Sequence, residues 1–292
     1  MDSLRIRSSH GVGLALYDFG GNGPPLLMAH ATGFHGRVWL PLAEQLRDHF
    51  HLFSLDFRAH GASTSPVDHN FGWAGVADDV LATVDAFGLE HPFGLGHSMG
   101  GAGLLLAEQA RPGTFRSLYV FEPIVFPVPE GVEPPPADAN PLSAGALRRR
   151  EVFASRAEAR NNYASKAPLD CLDPEVLTAY VEHGFVDRPD GTVGLACRRE
   201  EEAECYRMGG VHGGFDRLGE VTCPVTVASG ALTNAINPTF ARMQADAMPN
   251  GRVEVFDLLG HFGPLEDPTA VAKAVTAAFL DGFAASPGQR HP

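Results

Sequence analysis

Short apolar runs rich in β-branched and aromatic residues alternate along this chain with longer stretches of helical period. The runs predict strands at 4–7, 13–18, 25–29, 51–56, 93–96, 117–121, 225–229 and 253–257. Amphipathic stretches at 37–48, 73–87, 99–111, 238–248 and 268–283 predict helices between and after them. Strand-then-helix alternation predicts the α/β class: a mostly parallel eight-stranded sheet with helices on both faces. A short turn joins the first two runs, so they are expected to form an antiparallel hairpin at one edge.

The alternation breaks once. After the sixth strand, from about 123 to 217, the pattern predicts helices without strands. A proline-rich loop, "FPVPEGVEPPPADANP", opens the segment. Helical stretches follow near 144–155, 157–164, 174–183 and 199–208. Such an insert is expected to lie over the carboxyl edge of the sheet, where open α/β sheets bind ligands. The other reading is a helical subdomain with no part in a site. The expected organisation is a core of residues 1–122 and 218–284, a helical cap of 123–217, and a flexible tail of 285–292.

Composition narrows the partners. The 292 residues carry 35 acidic and 22 basic side chains, a formal net charge of −13. That balance argues against nucleic acid, whose phosphates need clustered cations. The one dense basic run, Arg148 to Arg150, cannot share a single helix face and reads as solvated surface. No apolar run is long enough to span a membrane, and the first residues lack the apolar core of a signal peptide. Cys171, Cys197, Cys205 and Cys223 have no paired spacing, so they read as reduced thiols of a cytoplasmic protein. The thirteen histidines show no metal-binding pattern. The expected partner is a small molecule, with no cofactor and no metal; a homodimer stays open.

One stretch carries candidate chemistry. "FGLGHSMGGAG" follows a short apolar strand and opens a helix, and Gly96-His97-Ser98-Met99-Gly100 within it fits G-x-S-x-G. That context is the one a nucleophile elbow requires. The turn strains the serine backbone, and side chains at Gly96 and Gly100 would collide. The helix N-terminus behind Ser98 turns free N–H groups toward developing negative charge. The competing reading, a phosphate-binding glycine loop, needs glycines at other positions.

"GHSMGG", together with "LLMAHATGF", "SLDFRAHGAS" and "GHFGPLEDP", resembles the α/β-hydrolase superfamily, with the four motifs in the same chain order. The resemblance covers nearly the whole chain, least securely in the insert. It implies a catalytic histidine at His261, just after the last strand, where a base would activate the serine hydroxyl. The alternative for His261 is a histidine in an ordinary glycine-flanked turn. The family's acid usually sits in the turn after the strand at 225–229. That turn reads "SGALTNAINP", with Thr233 and Asn234 where a carboxylate is expected.

A second position is used within the fold, at the end of the preceding strand, as in some haloalkane dehalogenases. "RSLYVFEPIVFP" puts Glu122 there. A carboxylate at that point would hold the imidazole tautomer and stabilise the imidazolium. The alternatives are a surface glutamate at Glu122 and an asparagine, Asn234, orienting the histidine. Asp257 is discounted because it lies in or at the end of its own strand.

The resemblance also implies an oxyanion hole from the backbone N–H groups of Thr32 and Met99, with Phe34 a second choice for the first. Ala31 departs from the family's glycine, and His30 reads as a brace for that loop. Asp56 and Arg58 are expected to hold loops together. Phe34, Trp39, Phe126, Phe153 and Tyr163 are aromatic candidates for an apolar pocket, and His97 is a packing or pocket residue.

A serine nucleophile suits attack on a carbonyl rather than displacement of a halide. The expected activity is hydrolysis of a small or medium apolar ester or lactone through Ser98, His261 and Glu122. Hydrolysis of a C–C bond in a diketone or meta-cleavage product, and cofactor-free haloperoxidase or perhydrolase chemistry, use the same residues. A non-catalytic small-molecule receptor is the alternative of another class.

Overall fold

A computed structural model describes residues 3–129, 131–136 and 138–281; the tail expected at 285–292 lies outside them. Eight strands form one sheet: β1 (Leu4–Arg7), β2 (Gly13–Gly20), β3 (Pro25–Ala29), β4 (His51–Asp56), β5 (Phe93–His97), β6 (Ser117–Phe121), and two late strands described below. β1 pairs antiparallel with β2, and β2 antiparallel with β4. The remaining pairs are parallel. All eight expected strands are present, within two residues of their expected ends.

Alternation of side chains sorts the core into two layers. On β3, Leu26 and Met28 face one layer while Leu27 and Ala29 face the other. On β6, Tyr119 and Phe121 share the first layer and Leu118 and Val120 the second. The helix α1 (Leu40–Leu46) covers the first layer through Leu42 and Leu46. α2 (Trp73–Phe87) and α3 (Met99–Ala110) cover the second through Val76, Val80, Leu104 and Leu105. Buried strands on both faces explain the near-continuous apolar runs of the parallel strands.

The insert departs from the expected all-helical form. It holds α4 (Pro141–Leu147), β7 (Val152–Phe153), α5 (Arg156–Ala164), α6 (Pro174–His183), β8 (Phe185–Asp187), β9 (Val193–Leu195) and α7 (Arg199–Met208). The three short strands form an antiparallel sheet in the order β7-β9-β8. Two- and three-residue strands leave no readable period, and β7 finds β9 some forty residues away. The expected helix at 144–155 therefore ends at Leu147 and gives way to β7.

Phe153, Val176, Tyr180 and Phe185 join the first core layer, so the insert extends that layer above the sheet. It is tied to the loop at the carboxyl end of β3. His35 Nε2 donates to the Tyr180 carbonyl (3.1 Å), and Tyr206 O–H to the Thr32 carbonyl (3.5 Å).

After the insert, β10 (Val225–Gly230) pairs with β6 and with β11 (Gly251–Phe256), and α8 (Pro238–Asp246) runs between β10 and β11. α9 (Gly263–Glu266) and α10 (Pro268–Thr276) follow. The strand order β1-β2-β4-β3-β5-β6-β10-β11 puts β5 in the interior, with β3 on one side and β6 on the other. No helix among the described residues is long and apolar enough to cross a membrane.

Candidate active site

Ser98 stands between β5 and α3 with φ 54° and ψ −114°, a backbone region that L-residues rarely enter. Neighbouring contacts impose it. The Ser98 N–H donates to the Phe121 carbonyl (2.9 Å), and the Ser98 carbonyl accepts from Ala102 (3.0 Å) and Ile124 (3.3 Å). A Cβ at Gly96 would lie 2.7 Å from the Gly100 backbone, and one at Gly100 only 2.1 Å from the Ala29 carbonyl oxygen. The motif glycines are thus required by close approach to backbone that cannot yield. Ser98 is 7 % exposed, and its Oγ has no hydrogen-bond partner among the described residues.

Glu122 is the first residue after β6 and also takes a positive φ, 46°. It is wholly buried, and its N–H donates to the Ala228 carbonyl (2.8 Å), which fixes it against β10. Four donors meet its two carboxylate oxygens. Gly230 N–H reaches Oε1 at 3.0 Å. The Thr233 hydroxyl (2.7 Å), Ile236 N–H (3.3 Å) and His261 Nδ1 (2.7 Å) reach Oε2. A buried carboxylate is tolerated because both of its oxygens accept hydrogen bonds, three on Oε2 and one on Oε1. The surface reading of Glu122 is therefore excluded by its burial.

The carboxylate accepts from Nδ1 of His261, so that nitrogen holds the proton and Nε2 of the neutral ring carries the lone pair. The His261 loop is pinned at its own carbonyl, which accepts from His97 Nε2 at 2.8 Å. The two imidazoles lie 4.9 Å apart. Burial first, and the neighbouring His261 second, hold the His97 pKa well below its ordinary value, so His97 is neutral. Asn234 is exposed and takes no part in this network. The turn where the family keeps its acid supplies a hydroxyl instead: Thr233 donates to the displaced carboxylate.

The loop after β3 lies beside the elbow. Thr32 Oγ1 is 3.3 Å from the Met99 sulfur. Among the described residues, the N–H groups of Thr32 and Met99 donate to no protein acceptor. Two buried neutral histidines shape this loop. His30 donates from Nδ1 to the Ala31 carbonyl (2.8 Å) and accepts the Phe57 N–H at Nε2 (3.0 Å). His60 donates from Nδ1 to the Arg58 carbonyl (2.8 Å) and accepts the Gly33 N–H at Nε2 (3.0 Å). Burial lowers both pKa values. His60 escaped the sequence reading, although it lies inside "DFRAHGAS".

Asp56 and Arg58 hold loops as expected from the motif. Asp56 accepts from Gly36, Ala62 and the Tyr17 hydroxyl, each at 2.7 Å. Arg58 forms a fully buried two-pronged pair with Asp79 (2.9 and 2.8 Å).

A cavity of about 660 Å³ opens between this loop and the insert. Thr32, Phe34, Phe153, Tyr163 and Phe262 border it, with Thr32, Phe34 and Phe153 buried. Three other pocket candidates lie elsewhere. Trp39 is sealed in the core below, Phe126 packs on Phe240 with ring centres 5.2 Å apart, and His97 is engaged with the His261 carbonyl.

Arg148, Arg149 and Arg150 also border the cavity; Arg148 and Arg150 are exposed, in line with the expected solvated surface, while Arg149 is partly buried. α4 stops at Leu147, so the three arginines occupy a bend rather than a helix and can face one space. Arg149 reaches inward to Glu202 (2.5 Å) and to the hydroxyls of Tyr163 (3.2 Å) and Tyr180 (2.5 Å). No group of three His, Cys, Asp or Glu among the described residues is arranged to hold a metal ion.

Comparison with known proteins agrees with this architecture. The chain is 23 % identical to 2-(acetamidomethylene)succinate hydrolase of Mesorhizobium japonicum, over 89 % of each chain. It is 32 % identical to N-formylmaleamate deformylase of Pseudomonas putida over 121 residues, 41 % of this chain and 45 % of that one. The chain thus spans less than half the deformylase's length. The crystal structure of E-2-(acetamidomethylene)succinate hydrolase superposes with a TM-score of 0.80 at 21 % identity, over 96 % of this chain and 99 % of the other. Residues 26–274 match the model of the alpha/beta hydrolase family, and the chain belongs to that family.

Proposed function

We propose that this hydrolase is a serine hydrolase that cleaves a small ester, lactone or amide through an acyl-enzyme on Ser98. The observation that carries the reading is the 2.7 Å contact between His261 Nδ1 and the buried Glu122 carboxylate. It leaves Nε2 as the basic atom of a histidine in the family's chain order after a strained serine.

In the cycle, His261 Nε2 takes the Ser98 proton as Oγ adds to the substrate carbonyl. The N–H groups of Thr32 and Met99 receive the oxyanion, an interaction whose loss typically costs about 10²–10³ in kcat. His261 then protonates the leaving group, and the acyl-enzyme falls to water activated by the same ring. Glu122 keeps the ring in its Nδ1–H tautomer and offsets the charge of the imidazolium. The insert acts as a cap over this chemistry and bounds the cavity from which the acyl group enters.

The sequence alone favoured an apolar ester or lactone. The names of the two relatives, a deformylase and a hydrolase of an acetamido compound, support including small amides. The test is covalent. A fluorophosphonate should label Ser98, and p-nitrophenyl esters should turn over in the native chain but not in Ser98→Ala. Absence of both labelling and turnover, across esters, lactones and formamides, would overturn the reading in favour of a receptor.

A further inference from the structure

We propose that the cavity selects substrates that carry a carboxylate, which Arg148 and Lys166 recognise at its solvent end. The proposal deepens the hydrolase reading and rests on it. The argument begins with charge. The chain as a whole has 35 acidic and 22 basic side chains, yet four cations and a single carboxylate border this cavity. A concave surface lined by one sign of charge concentrates ligands of the other.

The partners decide which cations are available. Arg149 is matched by Glu202 and Arg150 by Glu158 (2.8 Å). Arg148 has no ion-pair partner among the described residues, and the Lys166 ammonium touches only the neutral Asn162 Oδ1 (2.8 Å). Both are exposed, so they can meet a ligand without breaking an existing pair.

Hydrogen-bonding chemistry points the same way. The hydroxyls of Tyr163 and Tyr180 accept from Arg149, so each keeps its own O–H proton to donate. Burial pushes the Tyr180 pKa up, so its proton stays in place. The space is therefore rich in donors, and its one carboxylate, Glu202, commits Oε2 to Arg149. A carboxylate supplies the acceptors that this lining lacks, whereas a hydrocarbon chain leaves the donors unmatched.

The experiment compares mono-p-nitrophenyl adipate with p-nitrophenyl hexanoate, esters of equal acyl length that differ by one carboxylate. At low salt the adipate ester should show at least tenfold higher kcat/KM. That ratio should fall at least fivefold in Arg148→Ala/Lys166→Ala, recover in part in Arg148→Lys/Lys166→Arg, and decline in 0.5 M NaCl as screening grows. Arg242→Ala, which removes an exposed cation on α8 outside the cavity, should leave the ratio as it was. A ratio of one or less overturns the proposal, and so does a high ratio that survives the double substitution.

A second measurement separates this from the chemistry. Titration of adipate into Ser98→Ala reports the anion site without turnover. Binding that the double substitution abolishes supports the site even if no ester is cleaved and no fluorophosphonate reacts. Absence of adipate binding, with hydrolysis of the neutral ester intact, overturns the carboxylate proposal and leaves the hydrolase reading standing.

Discussion

Glu122 and His261, 139 residues apart in the chain, meet at 2.7 Å through Oε2 and Nδ1. The contact joins the end of β6 to the loop after β11, across β10. Glu122→Gln should keep the fold, since an amide fills the same volume, but it can turn its NH₂ toward the ring and favour the wrong tautomer. A kcat loss of about 10⁴ is expected, the scale seen when a triad acid becomes its amide. Asn234→Ala should change kcat less than twofold. The reverse ranking in ester turnover would move the acid function to the β10 turn.

Thr233 tests how the proposed acid, Glu122, is held. Thr233→Val removes a donor at 2.7 Å from a buried carboxylate oxygen. The expected cost is about 1–3 kcal/mol in denaturant unfolding, with a kcat reduction smaller than that of Glu122→Gln. In the Glu122→Gln background, Thr233→Asp returns a carboxylate to the turn where the family usually keeps one. It should recover part of the lost kcat. Thr233→Asp alone sets two carboxylates side by side and should lower both stability and turnover. Recovery in neither background would show that the turn cannot serve His261.

Much of this was legible in the chain because it depends on local pattern. The eight strands follow from period and length. The tight turn at Ser98 follows from glycines that only close backbone approach can require, whereas the reading of Glu122 rests on resemblance to the acid position that some haloalkane dehalogenases use after the same strand. What stayed hidden depends on distant contacts. β7 needs β9 to exist. Gly33 finds its acceptor in His60, and Arg149 finds Glu202 on α7. Arg148 and Arg150 are exposed, as a solvated run predicts, and only the cavity beside them is invisible in the local pattern. Aromatic residues carry no mark of which cavity they border, so Phe153 and Tyr163 line it while Trp39 and Phe126 do not.

The buried histidines predict an acid-sensitive fold. His30, His35, His60, His97 and His212 all have pKa values lowered by burial, and half-buried His183 is lowered to about 4. A depressed folded-state pKa means that the unfolded chain binds protons first. The contribution of these groups is intact above about pH 6.5 and is lost as pH falls toward their folded values. Each such group gives a slope of about 1.4 kcal/mol per pH unit within its window. Tm should hold between pH 8 and 7 and drop steeply from pH 6.5 to 5. A flat Tm across that lower range would contradict neutral buried imidazoles.

His60 connects this acid sensitivity to the loop proposed to supply the oxyanion donor Thr32. Its Nε2 accepts the Gly33 N–H at 3.0 Å, next in the chain to the free N–H of Thr32. A protonated His60 cannot accept, and His60→Leu cannot either. The substitution leaves one buried donor unmatched, about 1–3 kcal/mol of stability. It should also lower kcat by tenfold or more while KM for a p-nitrophenyl ester moves little, because the displaced donor acts on the transition state. His60→Gln, whose carbonyl can accept at a similar reach, should recover part of kcat. A loss of stability with unchanged kcat would mean that His60 braces the loop without setting the position of Thr32.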